Sequence, residues 1–412
     1  MAPAQSARPP RAALGVLLVG LLALGGCSSP QSATAGAPAS ASTSAGSGAG
    51  SASPSPSPSP PPVDPHVAAA QRALERMDLR ARAAQLLVVG VPAADLDDGS
   101  ALLAQAPYGG LFVGGRSQAS AAAVAAVTVP WAERARQAGQ PVPWVAADQE
   151  GGAVQTFSGP GFERLPTARQ QGRQPASAVQ ETARRAGEQL RAAGITLDLA
   201  PVADVVPATT GRANAPIGRY GREYGATAEE VSQDAGAAVT GLGESGVVAT
   251  VKHFPGLGRV TTNTDYSRDV HDTETSATDP GVAVFGQLAA LPQRPFVMTS
   301  SAVYDRIDPA SPAAFSSAVV TDLLRGQLGV DGVVISDDLG RAEAVASVPP
   351  AERATRFVEA GGTLVLTVDS ALAPTMLDAL QARASADPAF AAAVDAAALV
   401  ALEAKSRAGL LP

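Results

Sequence analysis

Cysteine occurs once in the 412 residues, at Cys27, which excludes internal disulfides and any cysteine-rich metal site. Histidine is nearly as scarce. His66, His253 and His271 are the only three, so any chemistry that needs an imidazole must draw on one of them. Positive charge is also short: 30 Lys and Arg stand against 38 Asp and Glu, for a net charge of −8. The arginines are scattered and form no basic stripe, which argues against nucleic acid as a partner. No GxGxxG follows the first apolar run and no phosphate-binding loop is present, which disfavours nucleotide binding. The apolar run from Ala12 to Leu24 is too short for a comfortable bilayer span.

That run has another use. Arg8 and Arg11 precede it and Gly25-Gly26-Cys27 follow it, the order of a secretory signal. LGGC resembles a bacterial lipobox, in which the cysteine becomes the lipidated first residue. A plain secretory signal with a chance cysteine is the alternative. The expectation is a lipoprotein signal peptide over 1–26 and lipidation at Cys27, giving an exported protein anchored to the outer face of a bacterial cell membrane. Residues 27–62, after the cysteine, are almost all Ser, Ala, Gly and Pro and end in SPSPSPSPPP, so they offer almost nothing to bury and are expected to be a disordered linker. Its Pro-rich end should be extended, at about 3 Å per residue. The remaining chain, 63–412, is long enough for one large core.

Eight short, apolar, β-branched runs recur along this domain: 85–91, 109–115, 143–149, 196–205, 247–254, 295–301, 331–338 and 362–369. Between them lie Ala-, Arg- and Glu-rich stretches with helical spacing, such as 177–194 and 227–246, each closed by a glycine. Near-continuous apolar strands are buried on both faces, which implies a parallel sheet under helices. Eight of them in this length fit an α/β fold of the single (β/α)8 TIM-type barrel kind, with an open doubly wound sheet as the alternative.

The runs begin apolar and end polar. The third ends in Asp148-Gln149-Glu150, the fourth near Asp204, the fifth in Lys252-His253, the sixth in Thr299-Ser300-Ser301 and the seventh in Ser336-Asp337-Asp338. These are the strand ends where barrel enzymes place their chemistry. One such end would be an ordinary loop start; five together point to a site.

DQEGGAV (148–154), LDLAPVADV (197–205), KHFPGLG (252–258) and VISDDLG (334–340) resemble the motifs of glycoside hydrolase family 3, in its N-terminal barrel domain. The stretch 298–340 is similar throughout, and the likeness spans about 75–395. The branch it most resembles is that of bacterial β-N-acetylhexosaminidases, in lipoprotein form. The chain stops before the second α/β sandwich domain of larger family members, and a single-domain architecture is expected.

The resemblance implies a retaining glycosidase, which needs an attacking carboxylate and an acid for the leaving oxygen. It makes Asp337, first Asp of the S-D-D-L motif, the nucleophile; the plain alternative is a cap at a strand–helix turn. Asp338 should point the other way and be structural, holding backbone or a nearby cation. Asp148, Lys252, His253 and, after a two-residue shift, Arg222 in GREYG match sugar-binding positions. The alternative for His253 is a packed, hydrogen-bonded barrel histidine. Glu150 is expected to support the site from behind.

Two departures stand out. The branch carries an Asp–His acid/base dyad after KHFPG; here Leu257 replaces its first His, and Asn263 and Asp265 occupy the dyad positions. Arginines after DQEGG are replaced by Ala153 and Thr156. Histidine titrates near 6.5 and aspartate near about 3.9, so Asp265 needs an upward shift to donate a proton near neutrality. Burial beside Asp337 can supply it, because like charges raise one pKa. Asp265 supported by Asn263 is therefore the expected acid/base, with His271 a weaker candidate. The leading expectation is hydrolysis of β-linked N-acetylhexosaminides, with wall glycan as the carbohydrate partner, no cofactor and no metal. A catalytically weakened barrel that binds a sugar or wall fragment, or a β-glucosidase-like specificity, are the other readings.

Overall fold

The computed structural model describes residues 64–412. The expected signal peptide, Cys27 and the expected linker lie outside the described residues. Eight parallel strands form one sheet: β1 Leu87–Pro92, β2 Gly110–Gly114, β3 Trp144–Ala147, β4 Leu197–Asp198, β5 Val248–Phe254, β6 Phe296–Thr299, β7 Val334–Ser336 and β8 Val365–Thr367. They pair in chain order, and β1 also pairs with β8. A parallel bridge between Ile335 and Leu364 joins β7 to the start of β8, with the Ser336 N–H donating to Leu364 O at 2.9 Å, so the sheet closes into the expected barrel.

Alternation explains why the runs look apolar throughout. Val88, Phe112, Trp144, Ala146, Leu197, Phe296, Met298, Ile335 and Leu366 form one buried cluster, with Trp144 edge-on to Phe296 at 5.2 Å. The intervening Val89, Val91, Leu111, Val113, Val145, Val251, Val297, Val334 and Val365 belong to a second, larger cluster shared with the helices. Both faces of each strand are buried, as a parallel barrel requires. Each such large aliphatic or aromatic side chain contributes about 1.5–3 kcal/mol when fully buried.

The helices return the chain as the spacing predicts. Ala176–Ala192 starts one residue before the predicted 177–194, Ala228–Glu244 falls within 227–246, and Gly194 and Gly246 follow them at φ +75 and +77. Thr227 opens the second by a reciprocal cap with Glu230. The fourth predicted strand, 196–205, is largely corrected: only Leu197–Asp198 is a regular strand. Pro201 has no N–H to donate, so the regular ladder cannot run on through it. The chain still follows β5, with the Ala203 N–H donating to Lys252 O at 2.7 Å, and this carries Asp204 to the site.

A cavity of about 700 Å³ opens at the strand beginnings, lined in part by Val247, Val248, Phe296 and Val333 together with His66 and Arg407. It contains none of the polar strand-end residues, which gather at the other end of the barrel.

Candidate active site

DQEGG builds the first part of the site. After β3 the chain turns back in a tight hairpin, Gln149–Gly151 against Val154–Gln155. Gly151 and Gly152 sit at φ +102 and +56, and a Cβ on Gly151 would lie 2.3 Å from Pro166 O, so the turn requires glycine. The hairpin aims two carboxylates at the β5 lysine. Lys252 Nζ donates to Asp148 Oδ1 at 2.6 Å and lies 2.7 Å from Glu150 Oε1. Arg222 grips the same Glu150 with a two-pronged fork, Nε to Oε2 at 2.8 Å and Nη2 to Oε1 at 2.7 Å, and places Nη1 on Pro216 O at 2.9 Å.

Charge balance follows from this packing. Burial pushes Glu150 up, but Arg222 and Lys252 outweigh it and hold the carboxyl at about 2. Burial pushes Lys252 down, and Asp148 and Glu150 more than reverse that, leaving it well above an ordinary lysine. Glu150 is thus the hub of the network rather than a bystander. Asp148 is its accessible member, with 28% of its side chain exposed against 3% for Lys252. Among the described residues, three of the five Arg222 donors are engaged.

His253 is held from behind. Its Nδ1 lies 2.7 Å from Asp204 Oδ2, and its backbone N–H donates to Asp204 Oδ1 at 3.2 Å. The same Oδ1 accepts from the Leu257 N–H at 2.7 Å. Asn214 accepts from the N–H groups of Ile217 and Gly218 and donates to Leu257 O at 2.6 Å and Val260 O at 2.8 Å. The loops after β4 and β5 therefore share two buried polar clips. Gly258 allows the contact, since a Cβ there would lie 1.7 Å from Val205 O.

The loop after β5 then delivers Asp265. Asn263 Oδ1 accepts from the Asp265 N–H at 2.9 Å, the local support expected of it. Asp265 O and Thr264 O accept from the N–H groups of Glu343 and Ala344, stitching this loop to the one after β7. Asp265 keeps an exposed flank, but partial burial of its carboxyl and the charge of Asp337 push it up to about 6, with His253 and Arg222 pulling the other way. Asp337 ends β7 half-buried; its N–H donates to Thr299 O at 3.0 Å and its Oδ1 accepts from the Asp338 N–H at 2.8 Å. The Asp338 carboxylate accepts from the N–H groups of Gly340, Arg341 and Val368. It holds backbone and ties β7 to β8.

Asp337, Asp265, Asp148, Arg222, Lys252 and His253 thus converge on one end of the barrel. His271 does not join them as an unengaged acid: its Nδ1 pairs with Asp305 at 2.7 Å, within a short strand beside Val303. His66 pairs with Ser406 and lines the cavity at the strand beginnings. Asp198 was not singled out from the sequence. It is 1% exposed, accepts from the Gln149 N–H at 3.0 Å, and burial raises it to about 7. A carboxylate inside the apolar run LDLA was the available signal.

Residues 78–399 match the family described as glycosyl hydrolase family 3 N terminal domain. The chain belongs to glycosyl hydrolase family 3. A β-hexosaminidase of Xanthomonas oryzae pv. oryzae is 35% identical over 248 residues, covering 58% of this chain and 71% of its own. One from Bordetella avium is 36% identical over 253 residues, covering 59% and 69%. The crystal structure of a β-N-acetylhexosaminidase from Beutenbergia cavernae is 45% identical, with a TM-score of 0.75 over 80% of this chain and 98% of that one. Within family 3, the charged cluster at the strand ends is the part of this barrel suited to a carbohydrate, because planar carboxylate and guanidinium groups make charge-assisted bonds to hydroxyls.

Proposed function

We propose that this protein is a retaining hydrolase of β-linked N-acetylhexosaminides, with Asp337 as nucleophile and Asp265 as acid/base. The observation that carries the reading is electrostatic. Burial, and then the charge of Asp337 from a different strand end, raise the Asp265 carboxyl. A carboxyl raised toward neutrality is suited to the acid role. Asp265, protonated below about 6, gives its proton to the leaving oxygen while Asp337 attacks the anomeric carbon. The carboxylate then takes a proton from the water that releases the sugar. Asp148 accepts from sugar hydroxyls, Lys252, Arg222 and His253 complete the sugar contacts, and Glu150 holds the two cations in place. Wall glycan is the substrate we infer, and the LGGC motif supports export with lipid attachment at Cys27.

Because the donor is a carboxylic acid, the rate should fall as pH rises through about 6, the value at which Asp265 loses its proton. A kcat profile flat to pH 8 would remove Asp265 from the role. Asp265→Asn should lower turnover of a natural disaccharide by about 10²- to 10⁴-fold. An activated aryl N-acetyl-β-glucosaminide needs little protonation and should lose far less. Equal losses on both substrates would contradict an acid role. The dyad histidine is replaced here, and this favours one other reading, a weakened barrel that binds sugar. Wild-type protein that binds the disaccharide and never cleaves it would establish that reading instead.

A further inference from the structure

We propose that Asp204 is a positioning residue that keeps a proton on Nδ1 of His253 and so sets what Nε2 offers the sugar; the catalytic consequence rests on the glycosidase reading above. Asp204 is fully buried, and its two oxygens meet three groups, all on the β5 side. Oδ1 accepts from the N–H groups of His253 and Leu257, so it is saturated by backbone. Oδ2 is left for the His253 ring, 2.7 Å from Nδ1. A carboxylate can only accept, so Nδ1 must carry a proton. Nε2 is then the nitrogen turned away from Asp204. The partner of one ring nitrogen decides what the other can do.

The arrangement also fixes the ring in space. His253 is 5% exposed, and one carboxylate anchors its backbone N–H and meets its ring, so the ring cannot turn without giving up the contact at Nδ1. Through Leu257 the same oxygen sets the start of the loop that carries Asp265. One side chain from the β4 loop thereby positions a sugar-binding group and the base of the acid loop.

Asp204→Asn tests this with no change in size. Asparagine can keep its carbonyl oxygen on the two backbone N–H groups, but its NH2 then faces Nδ1. The ring must accept at Nδ1 and carry its proton on Nε2. With only three histidines, nitrogen-15 NMR of histidine-labelled full-length protein reads the pattern directly, assigned with His66→Gln and His271→Gln variants. We expect a protonated Nδ1 for His253 in the wild type, a switch to Nε2 in Asp204→Asn, and kcat/KM on an aryl N-acetyl-β-glucosaminide lowered about 10- to 100-fold, as for other carboxylates that orient a histidine. A wild-type His253 protonated only at Nε2 overturns the proposal, even if Asp204→Asn fails to fold. So does an Asp204→Asn protein with wild-type kcat/KM. Wild-type protein that cleaves no glycoside defeats the glycosidase reading alone, and the ring-nitrogen pattern still decides the role of Asp204.

Discussion

Asp337→Asn is expected to lower kcat by about 10⁴-fold or more, the scale seen when a covalent catalyst loses its nucleophile. The substitution is conservative for the fold. Asn can keep the bond from the Asp338 N–H, because its side-chain carbonyl replaces Oδ1, and the bond from its own N–H to Thr299 O is untouched. What disappears is the charge that attacks the anomeric carbon. Asp265 also loses the neighbour that helps raise it, so it should titrate lower in the variant than in the parent protein. Turnover of an aryl N-acetyl-β-glucosaminide measures the first effect. Mass spectrometry after incubation of wild-type protein with a slow, ring-fluorinated N-acetyl-β-glucosaminide that keeps its 2-acetamido group should find the sugar on the peptide containing Asp337. A variant that kept a tenth of the parent kcat, or an adduct on another carboxylate, would end the assignment.

The largest loss of stability is expected for Glu150→Gln. Glu150 holds two buried cations, Arg222 by two bonds and Lys252 by one, and Asp148 is the remaining acceptor on Lys252. Removing one partner of a buried ionic network leaves charge uncompensated and costs about 3–5 kcal/mol. Urea unfolding, followed at pH 7, gives this difference directly. Its pH dependence has a defined sign. The folded value of Glu150, about 2, lies below the ordinary 4.5. Its contribution is therefore complete above pH 4.5 and is lost as pH falls toward 2. Wild-type stability should decline across that window more steeply than that of Glu150→Gln. A variant as stable as the parent, or parallel pH curves, would show that the network does not hold the fold.

The barrel was legible because both faces of its strands are apolar, and this pattern depends on neighbours in the chain alone. Boundaries were less so. The run 331–338 contains only Val334–Ser336 as strand, since ladder pairing ends where Asp337 and Asp338 turn to bind loop backbone. In the candidate site, the residues that end strands were legible from position. The pairings between distant residues were not. Glu150 and Arg222 are 72 residues apart, and Asp204 and His253 are 49 apart; nothing local in either segment announces the pairing. Arg222 was reached through family resemblance alone. Asp265 was singled out through a departure from the family pattern, and its raised pKa follows from the burial and the nearby Asp337 charge that folding creates.

The entry of the chain into the barrel has a practical consequence. Asp64 pairs with Arg407 and His66 with Ser406, beside the cavity at the strand beginnings, while Asp337 and its companions lie at the strand ends. A bead or chip coupled directly at position 64 is attached at the floor of the barrel. Immobilised in that way, the molecule presents its open mouth to the surrounding solution, so polymeric substrates too large to pass beneath it can still be reached.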